Sequence, residues 1–538
     1  MKFLDEFLDK DTSAYLGVAQ TLGRFSPVSE AGKRQLRRLE VFVPGDEAEL
    51  IEHHRRLKIA LDLIEFNDEV YHRLRHLLRE IPRIDEVWEQ PWGQAEFALL
   101  TSFRYRHHQI RREIANTPEL SSWLDLVAAS ELDQGLLGEP EGSRFYLADN
   151  RSQDLADVRR QIAEAQYWAE NEENEIRLRL AKTYGLPQGA EQWVVDREDG
   201  ELVRKLLSDT AVVLAAETVS SLRFAPKPSE RLMDLRARLS ALLQRERQIE
   251  ASLYQGMEDR LREKETLWDA EAKKLVRLDM LLAMAEQSRT WKAVAPILSD
   301  PNVTLLEVEE GRHEPVREAV MAGGGEYVPL ELHLASPVAI LTGTNMGGKT
   351  VALQTAGWLQ VIAQLGFLVP AKRFTTRLYS QVNASSTQPG RLGGLSEFGG
   401  EVERLARLLS LRHQGAMLLI DEPGRATHVK EGRALTQSVL DSLASSPSLS
   451  LVATHFDGLG GGGIAHFRMA GLKRDQVALW EKGRLDRRSP LHRLMDYRVL
   501  PVQEGAKVQS DALQVAELLG LETAVVERAR ELLKSKRG

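Results

Sequence analysis

A glycine-rich loop between a short apolar run and a helical pattern constrains this 538-residue chain more than any other feature. Residues 343–350 read Gly-Thr-Asn-Met-Gly-Gly-Lys-Thr and satisfy the phosphate-loop pattern G-x-x-x-x-G-K-[ST]. The loop follows the apolar run 338–342 and precedes a helical pattern from Val351. Glycines let backbone N–H groups turn toward phosphate oxygens, and the start of a helix favours negative charge. The segment therefore predicts a nucleotide-phosphate site in an α/β domain.

The side chains of this loop suggest separate roles. Lys349 is placed to reach the β- and γ-phosphates of a nucleoside triphosphate, and the Thr350 hydroxyl is placed to bind Mg²⁺. The backbone of four further residues would complete the phosphate cradle: Gly343, Asn345, Gly347 and Gly348. The alternative is a chance match in a glycine-rich loop, and the flanking strand and helix patterns count against it.

A second apolar run, at 417–421, ends in paired carboxylates. Asp421 at the end of a strand can hold Mg²⁺ through its water shell, and Glu422 is placed to orient or deprotonate the attacking water. Alone this pattern is weak, because strands often end in acidic turns, but beside the phosphate loop it indicates catalysis. His455 follows a third apolar run, at 450–454, and is predicted to contact the γ-phosphate or its water. A structural role is the alternative for this histidine.

The chain is predicted to have a mixed fold, mostly helical before residue 300 and α/β after it. Residues 152–182 read as one helical stretch. Residues 231–291 contain no proline, and leucines recur there at three-, four- or seven-residue steps, which predicts a long amphipathic helix or a helix pair. A single helix would extend on the order of 90 Å, a length suited to a lever or coiled-coil arm. After Pro301, short buried runs alternate with helical segments and predict a largely parallel sheet.

Composition excludes several classes of protein. There is no cysteine, so disulfides, cysteine nucleophiles and thiolate metal sites are excluded. That composition, the absence of a signal-peptide pattern and the absence of an apolar run of ~18 residues predict a cytoplasmic protein that does not enter membranes. The net charge of −8 gives no overall attraction to nucleic acid. We interpret the basic runs 33–38 and 104–112 as solvated helix faces, with a local nucleic-acid site as the alternative.

The phosphate loop and its neighbours resemble those of the MutS family. The resemblance rests on Asn-Met-Gly-Gly-Lys at 345–349, Gly-Phe-Leu-Val-Pro-Ala at 366–371, Asp-Glu-Pro-Gly-Arg at 421–425 and Ala-Thr-His-Phe at 453–456. It implies an ABC-class P-loop ATPase domain that uses ATP and Mg²⁺ and hydrolyses the nucleotide. It also implies that Tyr327, the aromatic residue before Val-Pro, packs on the adenine; an ordinary strand residue is the alternative.

Residues 396–401 are similar to the family's Ser-Thr-Phe-Met-Val-Glu signature. In the family that serine reaches the partner's nucleotide across a dimer interface. The resemblance therefore implies that Ser396 completes composite sites in a homodimer, or in a heterodimer with a sister MutS-like subunit. By itself Ser396 reads as a helix N-cap, and the two roles are compatible.

The resemblance covers nearly the whole chain and implies four parts. These are a helical core domain at 1–150, lever helices and a clamp at 151–300, the ATPase domain at 301–500 and a C-terminal helical dimerisation segment at 501–538. The family's mismatch-reading domain would precede the core, and we expect no room for it here. None of the 14 phenylalanines begins the Phe-x-Glu wedge, so mismatch recognition is not expected.

Two observations bear on the partner. Residues 184–210, at the expected clamp tip, carry six acidic and three basic side chains, which disfavours binding to phosphates. The Glu-Gly-x-Ala-Leu form at 431–435 is more similar to the reactivase subunits of adenosylcobalamin-dependent lysine 5,6-aminomutase. We therefore predict an ATPase that remodels or reactivates a protein client. A DNA clamp of mismatch repair or recombination is the alternative, and a nucleotide-binding scaffold without turnover is the weakest reading.

Overall fold

The computed structural model describes residues 2–89, 91–138, 145–299, 305–344, 347–385, 397–481, 493–502 and 512–535. The α-helices are α1 Leu4–Phe7, α2 Lys10–Leu16, α3 Val18–Leu22, α4 Glu30–Gln35, α5 Glu47–Phe66, α6 Asp68–Arg79, α7 Gln94–Ile114, α8 Pro118–Leu124, α9 Ala129–Asp133, α10 Gln153–Tyr184, α11 Gly200–Ser208, α12 Glu230–Arg262, α13 Glu265–Trp291, α14 Glu314–Ala322, α15 Lys349–Gln364, α16 Glu397–Leu411, α17 Val429–Ala444, α18 Arg474–Glu481, α19 Ala512–Leu518 and α20 Thr523–Ser535. Short 3₁₀ turns lie at Leu36–Arg38, Val87–Glu89 and Asp149–Arg151. The strands are β1 Lys2–Phe3, β2 Glu40–Val41, β3 Trp193–Asp196, β4 Val212–Glu217, β5 Ser221–Pro226, β6 Ile297–Leu298, β7 Leu306–Gly311, β8 Leu330–Leu334, β9 Val338–Thr342, β10 Arg373–Thr376, β11 Val382–Ser385, β12 Met417–Asp421, β13 Leu449–Thr454, β14 Ile464–Leu472 and β15 Met495–Pro501.

The chain divides into two compact units. The first, which we call the sheet unit, comprises Met1–Ile81, Gln109–Leu126 and Lys273–Gly538. The second, the arm unit, comprises Pro82–His108 and Val127–Ala272. The four-part division expected from the sequence remains a prediction. Within the described ranges, no helix is both long enough and apolar enough to cross a membrane.

The arm unit is built around the long helices α10 and α12, which pack along each other. α12 begins where the Ser229 hydroxyl accepts the N–H of Leu232, so a side-chain cap fixes its start. Apolar residues of both helices bury together, among them Val158, Ile162 and Leu242. The long leucine-rich stretch resolves into the helix pair α12 and α13, one of the two predicted alternatives.

A three-stranded antiparallel sheet in order β3-β5-β4 lies at residues 193–226 of the arm unit. This sheet is an exception to the mostly helical structure that the sequence predicts before residue 300. Trp193 and Phe224 pair across β3 and β5 and are buried with Leu206 of α11. Sequence reasoning missed the sheet because β4 exposes almost all of its side chains and so lacks the alternation that marks a half-buried strand.

The basic run 104–112 lies on α7, and its interpretation as a solvated face is wrong for part of the run. Arg104 is buried and forms an ion pair with buried Asp133. His107 is buried and its Nε2 lies 2.7 Å from the carboxylate of Glu271. Burial of these groups is tolerated because each meets a carboxylate, a pairing that a single sequence does not reveal.

The sheet unit contains a six-stranded sheet in order β11-β12-β13-β9-β14-β15. The first five strands in this order, including β9, pair in parallel, as predicted. The edge strand β15 pairs with β14 antiparallel. A separate four-stranded sheet, in order β6-β10-β7-β8, was not predicted. Helix α15 follows β9 and is buried along most of its length, partly because the N-terminal helices cover it: the Trp358 indole N–H donates to the Thr21 hydroxyl at 2.9 Å.

Candidate nucleotide site

Three adjacent parallel strands bring the predicted site residues to one edge of the six-stranded sheet. β13 lies between β12 and β9, and in register Asp421 is opposite Ala453 while Thr454 is opposite Thr342. The carboxyl ends of parallel strands share an edge, which is where α/β sheets bind ligands. The glycine loop, the paired carboxylates and His455 therefore all begin at the same edge.

The glycine loop adopts a backbone conformation that is unfavourable for residues with a side chain. Gly348 has φ +96° and a Cβ added there would lie 3.0 Å from Cδ1 of Tyr497. Gly343 has φ +145° and its added Cβ would lie 3.0 Å from the side chain of Met469. Both positions combine an unfavourable φ with a close neighbour, so the loop needs glycine there. Asn345 lies outside the described residues.

Lys349 begins α15 and turns its side chain back over the loop. The side chain is 4% exposed, and Nζ donates to the carbonyl of Gly343 at 2.8 Å and to that of Thr344 at 3.1 Å. Nζ also lies 3.6 Å from Oε1 of Glu422. Burial lowers the pKa of Lys349, and the charge of Glu422 opposes that shift. A buried cation thus lies between the loop and a carboxylate.

Thr350 and Asp421 are joined directly. The Thr350 hydroxyl donates to Oδ2 of Asp421 at 2.8 Å, whereas Oδ1 of Asp421 is buried with no hydrogen-bond partner among the described residues. Burial raises the pKa of Asp421, and the neighbouring Glu422 adds to the rise. Leaving a buried carboxylate oxygen without a partner is costly, and a bound cation or its water would remove that cost.

The residues present fit Mg²⁺. This ion takes oxygen ligands, keeps several waters, and is usually bound through one or two carboxylates together with substrate phosphates. Thr350 and Asp421 supply a hydroxyl and a carboxylate beside the glycine loop. No cluster of three or more His, Cys, Asp or Glu side chains able to hold a metal occurs in the part of the chain that the structure describes. The donor set therefore suits an ion shared with phosphate rather than one caged by protein alone.

Glu422 has a strained backbone. Its φ is +51°, uncommon for a residue with a side chain, and its N–H donates to the carbonyl of Ala453 on β13 at 2.8 Å. The side chain is 12% exposed and its Oε2 lies 3.4 Å from the guanidinium of Arg425. Strained residues persist where surrounding structure holds them and cluster at functional sites. Glu422 is thus aimed between Lys349 and Arg425.

Glu401 is a site residue to which sequence reasoning assigned no role. It is buried on α16, and its carboxylate accepts the backbone N–H groups of Gly424 and, at 3.1 Å, of Ala426. These bonds hold the loop that follows Glu422. The signal available was the position of Glu401 at the end of the Ser396–Glu401 stretch, although Ser396 itself lies outside the described residues.

A cavity of about 730 Å³ opens beside these groups. It is lined by the loop residues Gly347 to Thr350, by Asp421, Glu422 and Arg425, and by side chains of α14 and β15. Tyr327 lines it from the segment before β8, so it is not a strand residue, and its hydroxyl accepts the backbone N–H of His313 at 2.9 Å. Tyr497 on β15 also lines the cavity and was missed, because nothing in its local sequence marks it. His455 is exposed, packs against Phe456 and does not line the cavity.

Comparison with known proteins relates this chain to MutS proteins. The chain is similar to curated proteins named MutS and MutS2. Residues 339–536 match the family model described as MutS domain V. The MutS relatives include the DNA mismatch repair protein MutS of Thermus aquaticus, 31% identical over 55% of this chain and 34% of that protein.

Two further MutS-family relatives show how much is shared. The DNA mismatch repair protein MutS of Oleidesulfovibrio alaskensis is 29% identical over 57% of this chain and 33% of its own length. The Endonuclease MutS2 of Pelotomaculum thermopropionicum is 28% identical over 76% of this chain and 50% of its own length. This chain thus spans between a third and a half of the length of these relatives.

Proposed function

We propose that this chain binds ATP with Mg²⁺ in the cavity at the sheet edge and hydrolyses it. The observation that carries the proposal is the meeting of a buried lysine, a hydroxyl–carboxylate pair and a strained glutamate at one cavity: Lys349, Thr350 with Asp421, and Glu422. A phosphate cradle, metal ligands and a water-directing carboxylate are the parts that phosphoryl transfer to water requires.

The γ-phosphate would displace the present partners of Lys349. Its ammonium group now donates to two loop carbonyls, and it would donate instead to β- and γ-phosphate oxygens. The N–H groups of the loop and of the first turn of α15 would bind the same phosphates. Thr350 and Asp421 would hold Mg²⁺, which when bound neutralises phosphate charge.

Glu422 would act on the attacking water. The water oxygen forms a bond to the γ-phosphorus while the bond from phosphorus to the bridging oxygen of ADP breaks. Glu422 orients this water and accepts its proton, and Arg425, 3.4 Å from Oε2, helps to fix the direction of the carboxylate. His455 does not line the cavity. Its contact with the γ-phosphate remains a prediction.

The wider part of the cavity suits the base. Two aromatic side chains, Tyr327 and Tyr497, line it, and Val316, Ala319 and Val320 of α14 add apolar surface. A purine is planar and apolar on its faces, so it packs well on such a wall. We propose that Tyr327 packs on the adenine.

A steady-state ATPase assay tests this function. Wild type is expected to release phosphate in a Mg²⁺-dependent manner, and Lys349→Ala is expected to release none above background. Glu431→Gln serves as a matched control, because this exposed glutamate on α17 accepts a hydrogen bond from the Thr427 hydroxyl at 3.1 Å and does not line the cavity. Equal rates for wild type and Lys349→Ala would show that the activity does not come from this site.

For the output of the cycle, we propose that ATP binding and hydrolysis move the arm unit against a partner. The proposal includes paired sites in a homodimer or heterodimer, with Ser396 reaching the partner's nucleotide, and a cytoplasmic location. Long helices such as α10 and α12 transmit motion because they are stiff along their length.

The charge of residues 184–210, the expected clamp tip, favours a protein client. All three basic side chains between residues 184 and 210 already have partners: Arg197 pairs with Glu217, Lys205 pairs with Glu201, and Arg204 donates to the carbonyl of Gly200. Affinity for DNA comes mainly from Lys and Arg that neutralise phosphates, and none of these three is available without breaking a contact. The client that the sequence favours is a cobalamin-dependent aminomutase, which this chain would reactivate.

DNA is the second candidate, and the names of the relatives favour it. The proteins most similar to this chain include those described as DNA mismatch repair protein MutS and Endonuclease MutS2. The two candidates separate by salt dependence. A DNA clamp predicts ATPase stimulation by duplex, mismatched or four-way-junction DNA that fades as salt rises. A rate indifferent to every DNA, together with rescue of an inactivated mutase, supports the protein client.

A further inference from the structure

The N-terminal helix α2 reaches the candidate metal carboxylate from the far end of the sequence. Tyr15 lies on α2 and is buried, and its hydroxyl is 3.5 Å from Oδ2 of Asp421, 406 residues away in the chain. Thr350 donates to the same oxygen at 2.8 Å. Two hydroxyls therefore meet one carboxylate oxygen, while Oδ1 of Asp421 has no partner among the described residues.

Helix α2 is anchored on elements that carry the nucleotide site. The side-chain amide of Gln354, on α15, donates to the carbonyl of Tyr15 at 2.7 Å. On the other side of the helix start, the Thr12 hydroxyl accepts the N–H of Ala384 on β11, the strand beside β12, at 2.9 Å. The Tyr15 ring is consequently held in place through its own backbone.

We propose that Tyr15 is a positioning residue for Asp421, an inference that rests on the proposed function. Tyr15 and Thr350 together restrain Oδ2, so the carboxylate keeps the rotamer in which Oδ1 is left for Mg²⁺ or its water. Tyr15 does not line the cavity, so it acts through Asp421 rather than on the nucleotide. Residues that hold a metal ligand in place commonly change metal affinity by a factor of about 10 to 100.

The test is metal binding rather than turnover. Mn²⁺ would be titrated into the full chain loaded with a non-hydrolysable ATP analogue, and free Mn²⁺ would be counted by electron paramagnetic resonance. Tyr15→Phe is expected to weaken Mn²⁺ binding about tenfold, the lower end of that range. Affinity for a fluorescent ATP analogue in EDTA is expected to stay within about twofold of wild type, because the phosphate loop is intact.

Tyr379→Phe is the matched control. Tyr379 is also buried, and its hydroxyl donates to the carbonyl of Leu305 at a distance of 2.9 Å. Neither residue lines the cavity. This variant loses a buried hydroxyl without touching the metal carboxylate. It is expected to bind Mn²⁺ as wild type does, which separates a local effect on Asp421 from general loosening.

The outcomes show separately whether the role of Tyr15 fails and whether the proposed ATPase function fails. Wild type that binds neither nucleotide nor Mn²⁺ overturns both. Wild type that binds both, with Tyr15→Phe equal to it in Mn²⁺ affinity, overturns only the role of Tyr15. If Tyr15→Phe fails to fold in a thermal melt, Gln354→Met removes the bond to the Tyr15 carbonyl instead. Unchanged Mn²⁺ affinity in that variant contradicts the inference, and weaker binding supports it.

Discussion

The carboxylate of Glu401 accepts the backbone N–H of Gly424, so helix α16 holds the loop that follows the strained Glu422. The second carboxylate oxygen accepts the N–H of Ala426 at 3.1 Å, and Glu401 is buried. A single side chain thus ties together the two backbone groups on either side of Arg425. The position of Glu422 depends on this tie, because the chain between them is only a few residues long.

Removal of this tie is expected to reduce turnover more than nucleotide binding. Glu401→Ala leaves two N–H groups without their acceptor. Each of them that stays buried costs about 1–3 kcal/mol of stability. We expect kcat to fall at least about tenfold, with ATP affinity nearly unchanged, because the phosphate loop is not touched. Glu401→Gln keeps one oxygen acceptor and is expected to lose less. A full rate in Glu401→Ala, measured by phosphate release, would show that the loop does not need Glu401.

A methyl group on the glycine loop is expected to weaken nucleotide binding. Gly348→Ala places a Cβ 3.0 Å from Tyr497 at φ +96°, so the loop must shift, and an alanine there costs about 1 kcal/mol in backbone strain alone. We expect a loss of at least about tenfold in affinity for a fluorescent ATP analogue. Gly45→Ala is the control, since Gly45 has φ +104° but no atom within 4 Å of an added Cβ. Equal losses in both variants would assign the effect to general strain.

Acid is expected to destabilise the sheet unit through a buried histidine. Burial lowers the pKa of His313 to about 4. Its Nε2 lies 3.0 Å from the carbonyl of Leu16, and its ring stacks on Trp358. The unfolded chain, with a histidine pKa near 6.5, binds more protons than the folded chain between about pH 6.5 and 4. The stability contributed by neutral His313 is therefore present above pH 6.5 and is lost as the pH falls through this window.

The measurement is the free energy of unfolding by urea at pH 7 and pH 5. His313 alone is expected to account for a loss of about 2 kcal/mol between these values. His313→Gln keeps a donor and an acceptor but does not titrate, so its loss should be smaller by that amount. His333→Gln is the control, because the His333 side chain is 64% exposed. The same pH slope in His313→Gln and wild type would contradict the assignment.

The predictable part of the site was the part encoded locally. Lys349, Thr350, Asp421 and Glu422 lie in two short segments, each next to a buried strand, and parallel pairing brings the ends of such strands together. The helix at 153–184 was likewise predicted within a few residues, because the sequence pattern of a helix is local.

The remainder depends on tertiary contacts that no local pattern reports. Tyr15 meets Asp421 from 406 residues away, and Tyr497 enters the cavity on an edge strand. Arg104 was misread because a buried cation and an exposed one look alike until the partner carboxylate is known. The small sheet of the arm unit escaped notice because its edge strand β4 carries exposed apolar side chains in place of an alternating pattern.

The most direct test of the central claim compares ATP binding and hydrolysis in Glu422→Gln. The amide keeps the size of the side chain but cannot accept the proton of the attacking water. We predict that the variant binds ATP and Mg²⁺ with affinity within about twofold of wild type, while single-turnover hydrolysis slows by a factor of about 10² or more. Hydrolysis at the wild-type rate would contradict the role of Glu422 and with it the proposed mechanism.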